Sequence, residues 1–258
     1  MNSDNVNYFR SLHTNNDPLL IANVWDVTSA KNAEKNGFKA IGTSSAALAK
    51  TLGYADGQNI PIEELFFVVK RIAANTNLPF SVDLEGGYSK VPEVTVSYMK
   101  QLAALGVVGV NIEDSEVSEH RELRNAEEFA HYLAEVSAGL KAENVDMFIN
   151  VRTDTFLLDI VNAKEETRRR AKLYKESGAH GLFVPCITKV DDIKYVVSHT
   201  ELPVNVMCMP VLPEFKQLAA VGVKRISMGN FVFDKIEHEL AQTLSQVASK
   251  GSFEAVFN

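Results

Sequence analysis

Cysteine is scarce in this chain: Cys186 and Cys208 are the only two among 258 residues, too few for a disulfide framework. No stretch approaches the roughly 18 consecutive apolar residues of a membrane helix. The first residues, MNSDNVNYFR, lack the apolar centre of a secretion signal. A soluble, cytoplasmic protein in a reducing compartment is expected. Basic residues are in deficit too, with 26 Lys and Arg against 33 Asp and Glu and a net charge of −7. Nucleic acid and anionic membranes call for a basic face, so neither is an expected partner. The absence of G-x-G-x-x-G and of G-x-x-x-x-G-K-[ST] argues against a dinucleotide site or a phosphate loop. No Pro-, Ser- or Gly-rich linker appears, so residues 1–258 read as one domain.

What the chain does have is a recurring unit. A helix-like run ends at glycine, and a short apolar, β-branched stretch follows, as in AEKNG-FKAIGTSS, LAALG-VVGVNIED, YKESG-AHGLFVPC and LAAVG-VKRISMGN. Gly37, Gly106, Gly178 and Gly222 sit where a helix end needs a left-handed residue. The apolar stretches are nearly unbroken, as in parallel strands covered on both faces. Eight strands are predicted, near 19–25, 38–43, 79–84, 107–112, 147–152, 181–185, 203–208 and 225–229. Helices are predicted at 63–75, 93–105 and 125–142, with Pro92 and Pro213 near helix starts, where proline is tolerated. A short leading helix at about 5–13 is expected to cover the barrel bottom. Eight βα units in about 250 residues predict the α/β class and a single (β/α)8 TIM barrel. The alternative is a doubly wound open sheet, which has fewer strands and usually a Gly-rich loop.

Barrel enzymes build their sites at the carboxyl ends of the strands. The predicted strands end in Asp26; in Thr43, Ser44 and Ser45; in Asp83 and Glu85; in Asn111, Glu113 and Asp114; and in Asn150, Arg152 and Asp154. Later strands end in Cys186, in Asn205 with Cys208, and in Asn230. Clustered carboxylates repel one another unless a cation neutralises them. Oxygen ligands without a His or Cys cluster suit Mg²⁺ or Mn²⁺ better than zinc. Asp83 and Glu85, two residues apart, are expected on one face of their strand. Asp26, Asp114 and Asp154 read equally well as helix caps. Both cysteines read as small buried residues on adjacent strands. The run Glu165-Glu-Thr-Arg-Arg-Arg170 reads as a solvated face.

The stretches NVWDVTSA, TSSA with LGYAD, VDLEGGY, GVNIEDS and VRTD occur in register from about residue 8 to about 230. Together they resemble the phosphoenolpyruvate mutase/isocitrate lyase superfamily. The resemblance implies a Mg²⁺-dependent barrel, with Mn²⁺ as a substitute, that makes or breaks C–C or P–C bonds beside a 2-oxo or enolate group. It implies Asp83 as direct metal ligand, with Asp56, Glu85 and Glu113 holding metal-bound waters. Ser44 and the amides of Ser45 and Ala46 would grip the substrate carboxylate, Arg152 would neutralise the opposite side, and Asn205 would join the substrate site. It also implies a homo-oligomer, a dimer or tetramer. The chain ends at GSFEAVFN soon after its last predicted barrel helix, so no exchanged C-terminal helix is expected.

One departure shapes the functional expectation. Isocitrate-type lyases carry K-x-C-G-H after the fourth strand; here residues 115–124 read SEVSEHRELR, with Glu119 and Arg121 near the Lys and Cys positions. The Lys-x-Asn-Ser pattern of the mutases is absent as well. His120 is the one imidazole of this loop and the candidate general acid, with water as the alternative. The polar loop is expected to be mobile and to close over substrate. The first expectation is therefore a Mg²⁺-dependent lyase or decarboxylase for a small 2-oxo or 2-hydroxy carboxylate, acting through an enolate. The alternatives are a phosphonopyruvate hydrolase or phosphonomutase-like P–C bond enzyme, or a non-catalytic barrel that binds carboxylates.

Overall fold

The structure, a computed structural model, describes residues 2–257. The strands are β1 (Leu19–Val24), β2 (Ala40–Thr43), β3 (Phe80–Asp83), β4 (Gly109–Glu113), β5 (Ser115–Val117), β6 (Arg121–Leu123), β7 (Phe148–Arg152), β8 (Gly181–Val184), β9 (Val204–Met207) and β10 (Arg225–Ser227). The helices are α1 (Asn2–Leu12), α2 (Val27–Lys35), α3 (Ser45–Leu52), α4 (Ile62–Ala73), α5 (Pro92–Ala104), α6 (Ala126–Ala142), α7 (Ala163–Glu176), α8 (Val190–Ser198), α9 (Phe215–Ala220), α10 (Phe231–Lys250) and α11 (Glu254–Phe257). Eight strands close a parallel barrel in the order β1-β2-β3-β4-β7-β8-β9-β10, while β5 and β6 form a separate antiparallel hairpin. The fold is the expected (β/α)8 barrel, and its strands fall within about two residues of the predicted ones.

Local chemistry explains the element ends. The glycines at 37, 106, 178 and 222 take φ of 80, 93, 102 and 92°, the left-handed turn that releases each helix into the next strand. Asp26 caps α2 through Ser29 N–H at 2.6 Å, with the Ser29 hydroxyl returning to the cap, so the capping reading of Asp26 holds. Pro92 opens α5 at a position with no N–H to lose. Strand register then levels one rim: Val24 pairs with Thr43, Asp83 with Asn111 and Glu113 with Arg152.

The main core lies between barrel and helices and includes Ile41, Val82, Val110 and Val151. A second cluster seals the amino end: Val6, Phe9 and Leu12 of α1 pack on Leu19, Ile21, Ala40, Val108 and Phe148. Inside the barrel, below the rim, lies a polar layer. Asn150 Nδ2 donates to Asn111 Oδ1 at 2.9 Å and to Asn205 Oδ1 at 3.2 Å, and Asn205 Nδ2 donates to Ser227 Oγ at 3.1 Å. Gly181 leaves room for it, since a Cβ there would stand 2.6 Å from Asn150 Oδ1.

Three expectations are corrected. Cys186 is half-buried and Cys208 exposed, because β8 and β9 end at Val184 and Met207 and leave both cysteines in mouth loops. The charged run at 165–170 is not wholly solvated: Arg170 is buried and donates to Asp114 Oδ2 at 2.9 Å. Residues 115–124 form a hairpin where an irregular loop was expected. Among the described residues no helix is long and apolar enough to cross a membrane. The last long helix, α10, has no buried residue, and Val232, Ile236, Leu240 and Leu244 form an exposed apolar stripe along it.

Candidate active site

A cavity of about 320 Å³ opens at the carboxyl ends of the strands. Asp83, at the end of β3, and Asp56, from the loop after α3, both line it. Asp83 Oδ2 accepts from Ser45 Oγ at 3.0 Å, and its own N–H donates to Thr43 Oγ1 at 2.7 Å. Burial pushes the Asp83 carboxyl above the usual carboxylate range, with Arg152 pulling the other way.

Glu85 reaches the same cluster by a different route from the one expected. β3 ends at Asp83, so strand alternation no longer governs Glu85; its backbone turns left-handed at φ 48°. The side chain is buried and accepts from Gln58 N–H at 2.6 Å and Tyr88 Oη at 3.1 Å. Burial first, then the charges of Asp83, Glu113 and Asp56, raises its pKa to about 8.

Glu113, at the end of β4, is buried between two arginines: Oε1 accepts from Arg121 Nη1 at 2.5 Å and Oε2 faces Arg152 Nη1 at 3.1 Å. Burial raises its pKa, against the pull of Arg152. Arg152 in turn spends Nε and Nη2 on Asp154, at 2.6 and 3.1 Å. Asp154 is fully buried and also accepts from Ser115 Oγ at 2.6 Å. It is part of the charged site and caps no helix. Asp114 likewise leaves the capping role: it sits behind the mouth, taking Thr153 Oγ1 and Tyr174 Oη, each at 2.7 Å.

Beside Asp83 the lining is electropositive backbone. Ser44 is the N-cap of α3, its Oγ accepting from Ala47 N–H at 3.3 Å. Among the described residues the N–H groups of Ser45 and Ala46 meet no protein acceptor, and both residues line the cavity. An anion at this helix start would find two free donors and the positive end of the dipole.

Glu85 and Glu113 do not themselves line the cavity, and the two remaining candidates also fall outside its lining. Asn205 is buried in the polar layer beneath it, under Ser227. His120 stands exposed at the tip of the β5–β6 hairpin. Sequence reading missed Arg121 and Asp154. Arg121 was placed in a polar loop, yet the hairpin turns its side chain into the cavity, where Nη1 also reaches Ser115 Oγ at 2.9 Å and Asp154 Oδ2 at 3.1 Å. The only sequence signal for it was its place near the lyase Cys position.

Among the described residues no three His, Cys, Asp or Glu side chains close on one metal position. The donor set nevertheless fits a hard divalent cation held mainly by water and substrate. Asp83 lies on the cavity, while Glu85 and Glu113 have their oxygens already engaged and suit water-mediated contact.

Fold and site together define a (β/α)8 barrel whose mouth sets carboxylates beside a helix start with two free N–H groups. The chain matches the family described as phosphoenolpyruvate phosphomutase over residues 9–248, and it belongs to that family. A crystal structure of a putative phosphonomutase from Burkholderia cenocepacia is 36% identical, with a TM-score of 0.88 over 94% of this chain and 100% of that one. An uncharacterized protein of Mycobacterium tuberculosis is 32% identical over 86% of this chain and 81% of its own length. The 2-methylisocitrate lyase of Shewanella oneidensis is 27% identical over 76% of this chain and 68% of its own length.

Proposed function

We propose that the protein is a divalent-metal-dependent lyase or decarboxylase acting on a small 2-oxo or 2-hydroxy carboxylate through an enolate. The observation that carries this reading is the polarity of one cavity, with Asp83 and Asp56 on one part of its wall and the free N–H groups of Ser45 and Ala46 on another. Bond cleavage next to a carbonyl leaves an enolate, whose charge needs preorganised positive partners. Mg²⁺, or Mn²⁺, would be held by Asp83 directly and through water by Asp56, Glu85 and Glu113, and would supply positive charge beside the enolate oxygen. The substrate carboxylate docks on the start of α3, where Ser44 holds the turn and Ser45 and Ala46 donate. Arg152 supplies fixed charge, its orientation set by Asp154 and Glu113. Asn205 supports the floor through Ser227. The proton for the enolate carbon comes from water, or from His120 by a bend of the hairpin tip that leaves Arg121 on Glu113 and Asp154. The exposed stripe of α10 supports association into a homo-oligomer, a dimer or tetramer.

A substrate panel tests the reading. Oxaloacetate, phosphonopyruvate, isocitrate and 2-methylisocitrate are assayed with wild type, Asp83→Ala and His120→Asn, with and without EDTA. Turnover of a 2-oxo acid that vanishes with EDTA, returns with Mg²⁺ and is absent in Asp83→Ala is the expected result. Undiminished turnover in Asp83→Ala would sink the metal assignment, and unchanged kcat in His120→Asn assigns the proton to water. Turnover of phosphonopyruvate alone would favour the P–C bond reading, which shares the same cavity.

A further inference from the structure

The two arginines of the cavity are not equally committed. Arg152 has both atoms of its Nε–Nη2 edge on Asp154 and Nη1 on Glu113. Arg121 meets all its protein partners, Glu113, Ser115 and Asp154, through Nη1 alone. Among the described residues no protein group accepts from its Nε or Nη2. The Nε–Nη2 edge offers parallel N–H donors, the geometry in which a guanidinium takes a planar carboxylate or a phosphonate side-on. The side chain lines the cavity and is only 18% exposed, so a ligand contact there would be poorly screened.

Position adds to this. Arg121 arrives from the hairpin that follows β4, whereas α3 follows β2; β3, with Asp83 at its end, lies between them. A ligand whose carboxylate sits on the start of α3 and whose chain passes Asp83 points its far end towards Arg121. We propose that Arg121 reads a second anionic group at the far end of the substrate and so restricts the site to dianionic acids. The inference rests on the reading of the cavity as a carboxylate site and adds to it the residue that selects the substrate's other end. Glu113 and Asp154 hold Nη1 in place, so the free edge is oriented before the ligand arrives, which limits the side-chain entropy lost on binding.

Calorimetric titration in Mg²⁺ buffer tests the assignment without requiring turnover. The probes are oxalate, which is too short to span the cavity, and two longer dianions, 3,3-difluorooxaloacetate and phosphonolactate. Arg121→Met is expected to weaken at least one of the longer ligands tenfold or more while oxalate stays within twofold; which one weakens tells a carboxylate reader from a phosphonate reader. Arg121→Lys retains a cation for Glu113 and keeps the hairpin pinned, and it should show a smaller loss on the same ligand. Unchanged affinity for both longer ligands in Arg121→Met, or a loss equal to that for oxalate, overturns the assignment and leaves Arg121 as a pin of the hairpin. Wild-type protein that binds none of the three probes overturns the carboxylate-site reading itself.

Discussion

Arg152 lies side-on against Asp154, Nε to Oδ1 at 2.6 Å and Nη2 to Oδ2 at 3.1 Å; Arg152 ends β7 and is half-buried, and Asp154 just beyond it is fully buried. The pair fixes a guanidinium that flexible solvation would otherwise let wander. Charge-assisted bonds of this kind contribute about 1.5–3 kcal/mol each. Arg152→Lys keeps the charge and loses the fork. A fall in kcat/KM of roughly tenfold or more is expected on the best substrate. A change under twofold, with a lowered melting temperature, would confine Arg152 to a structural role.

Glu85 gives a pH signature. Its folded pKa, about 8, is raised above the unfolded carboxylate value, so the stability it contributes is complete at low pH and is lost as pH rises towards 8. In metal-free protein Glu85→Gln should therefore melt higher than wild type at pH 8, by about 2–4 °C per kcal/mol recovered. The gap should narrow towards pH 4.5, the unfolded value, below which Glu85 is neutral in the folded and the unfolded chain alike. A melting curve series from pH 4.5 to 9 in EDTA reads this directly, and a gap independent of pH would remove Glu85 ionisation as its cause.

His13 predicts the opposite trend at the other end of the barrel. It is buried, stacks on Phe148 at 4.3 Å, and its Nδ1 lies 2.9 Å from Phe9 O while Nε2 has no partner. Burial, with Arg225 nearby, lowers its pKa to about 3. Stability is thus full above the unfolded value near 6.5 and is lost as pH falls from there towards 3, at up to about 1.4 kcal/mol per pH unit for one proton. His13→Phe should flatten that slope in urea titrations between pH 6.5 and 4. His180, lowered by burial to about 4, retains its own share. An unchanged slope in His13→Phe would place the acid sensitivity elsewhere.

The stripe on α10 predicts association. Leu240 and Leu244 are 57% and 60% exposed, and neighbouring copies would bury them. Light scattering should give a multiple of 28.5 kDa for wild type, and Leu240→Glu with Leu244→Glu should return the monomer. A monomeric wild type at micromolar concentration would refute the expectation.

The barrel was readable because each unit repeats one local code: a glycine that ends the helix and an apolar run that starts the strand. Asp83 and Glu113 were readable as acids that end such runs. Asp154 was not, because an acid after a strand serves as helix cap or ion-pair partner with the same local sequence, and its partner Arg121 stands 33 residues away. Arg121 itself was hidden because three-residue strands carry too short an alternation to reveal a hairpin. The left-handed turn at Glu85 was hidden for a related reason: two-residue spacing predicts a shared face only while the strand lasts.

Leu19 pairs with Arg225, so the first strand of the barrel must wait for the last. During synthesis every other strand can find a neighbour as it emerges, but β1 keeps an open edge until residue 227 has been made. Loop closure over so long a span makes such a contact slow to form. The seal of α1 against Phe148 and Val108 then has a kinetic consequence: it ties the waiting edge to the middle of the sheet, and a chain that loses the fully buried Phe9 should, besides the stability lost with that core side chain, expose the edge longer and aggregate more during refolding.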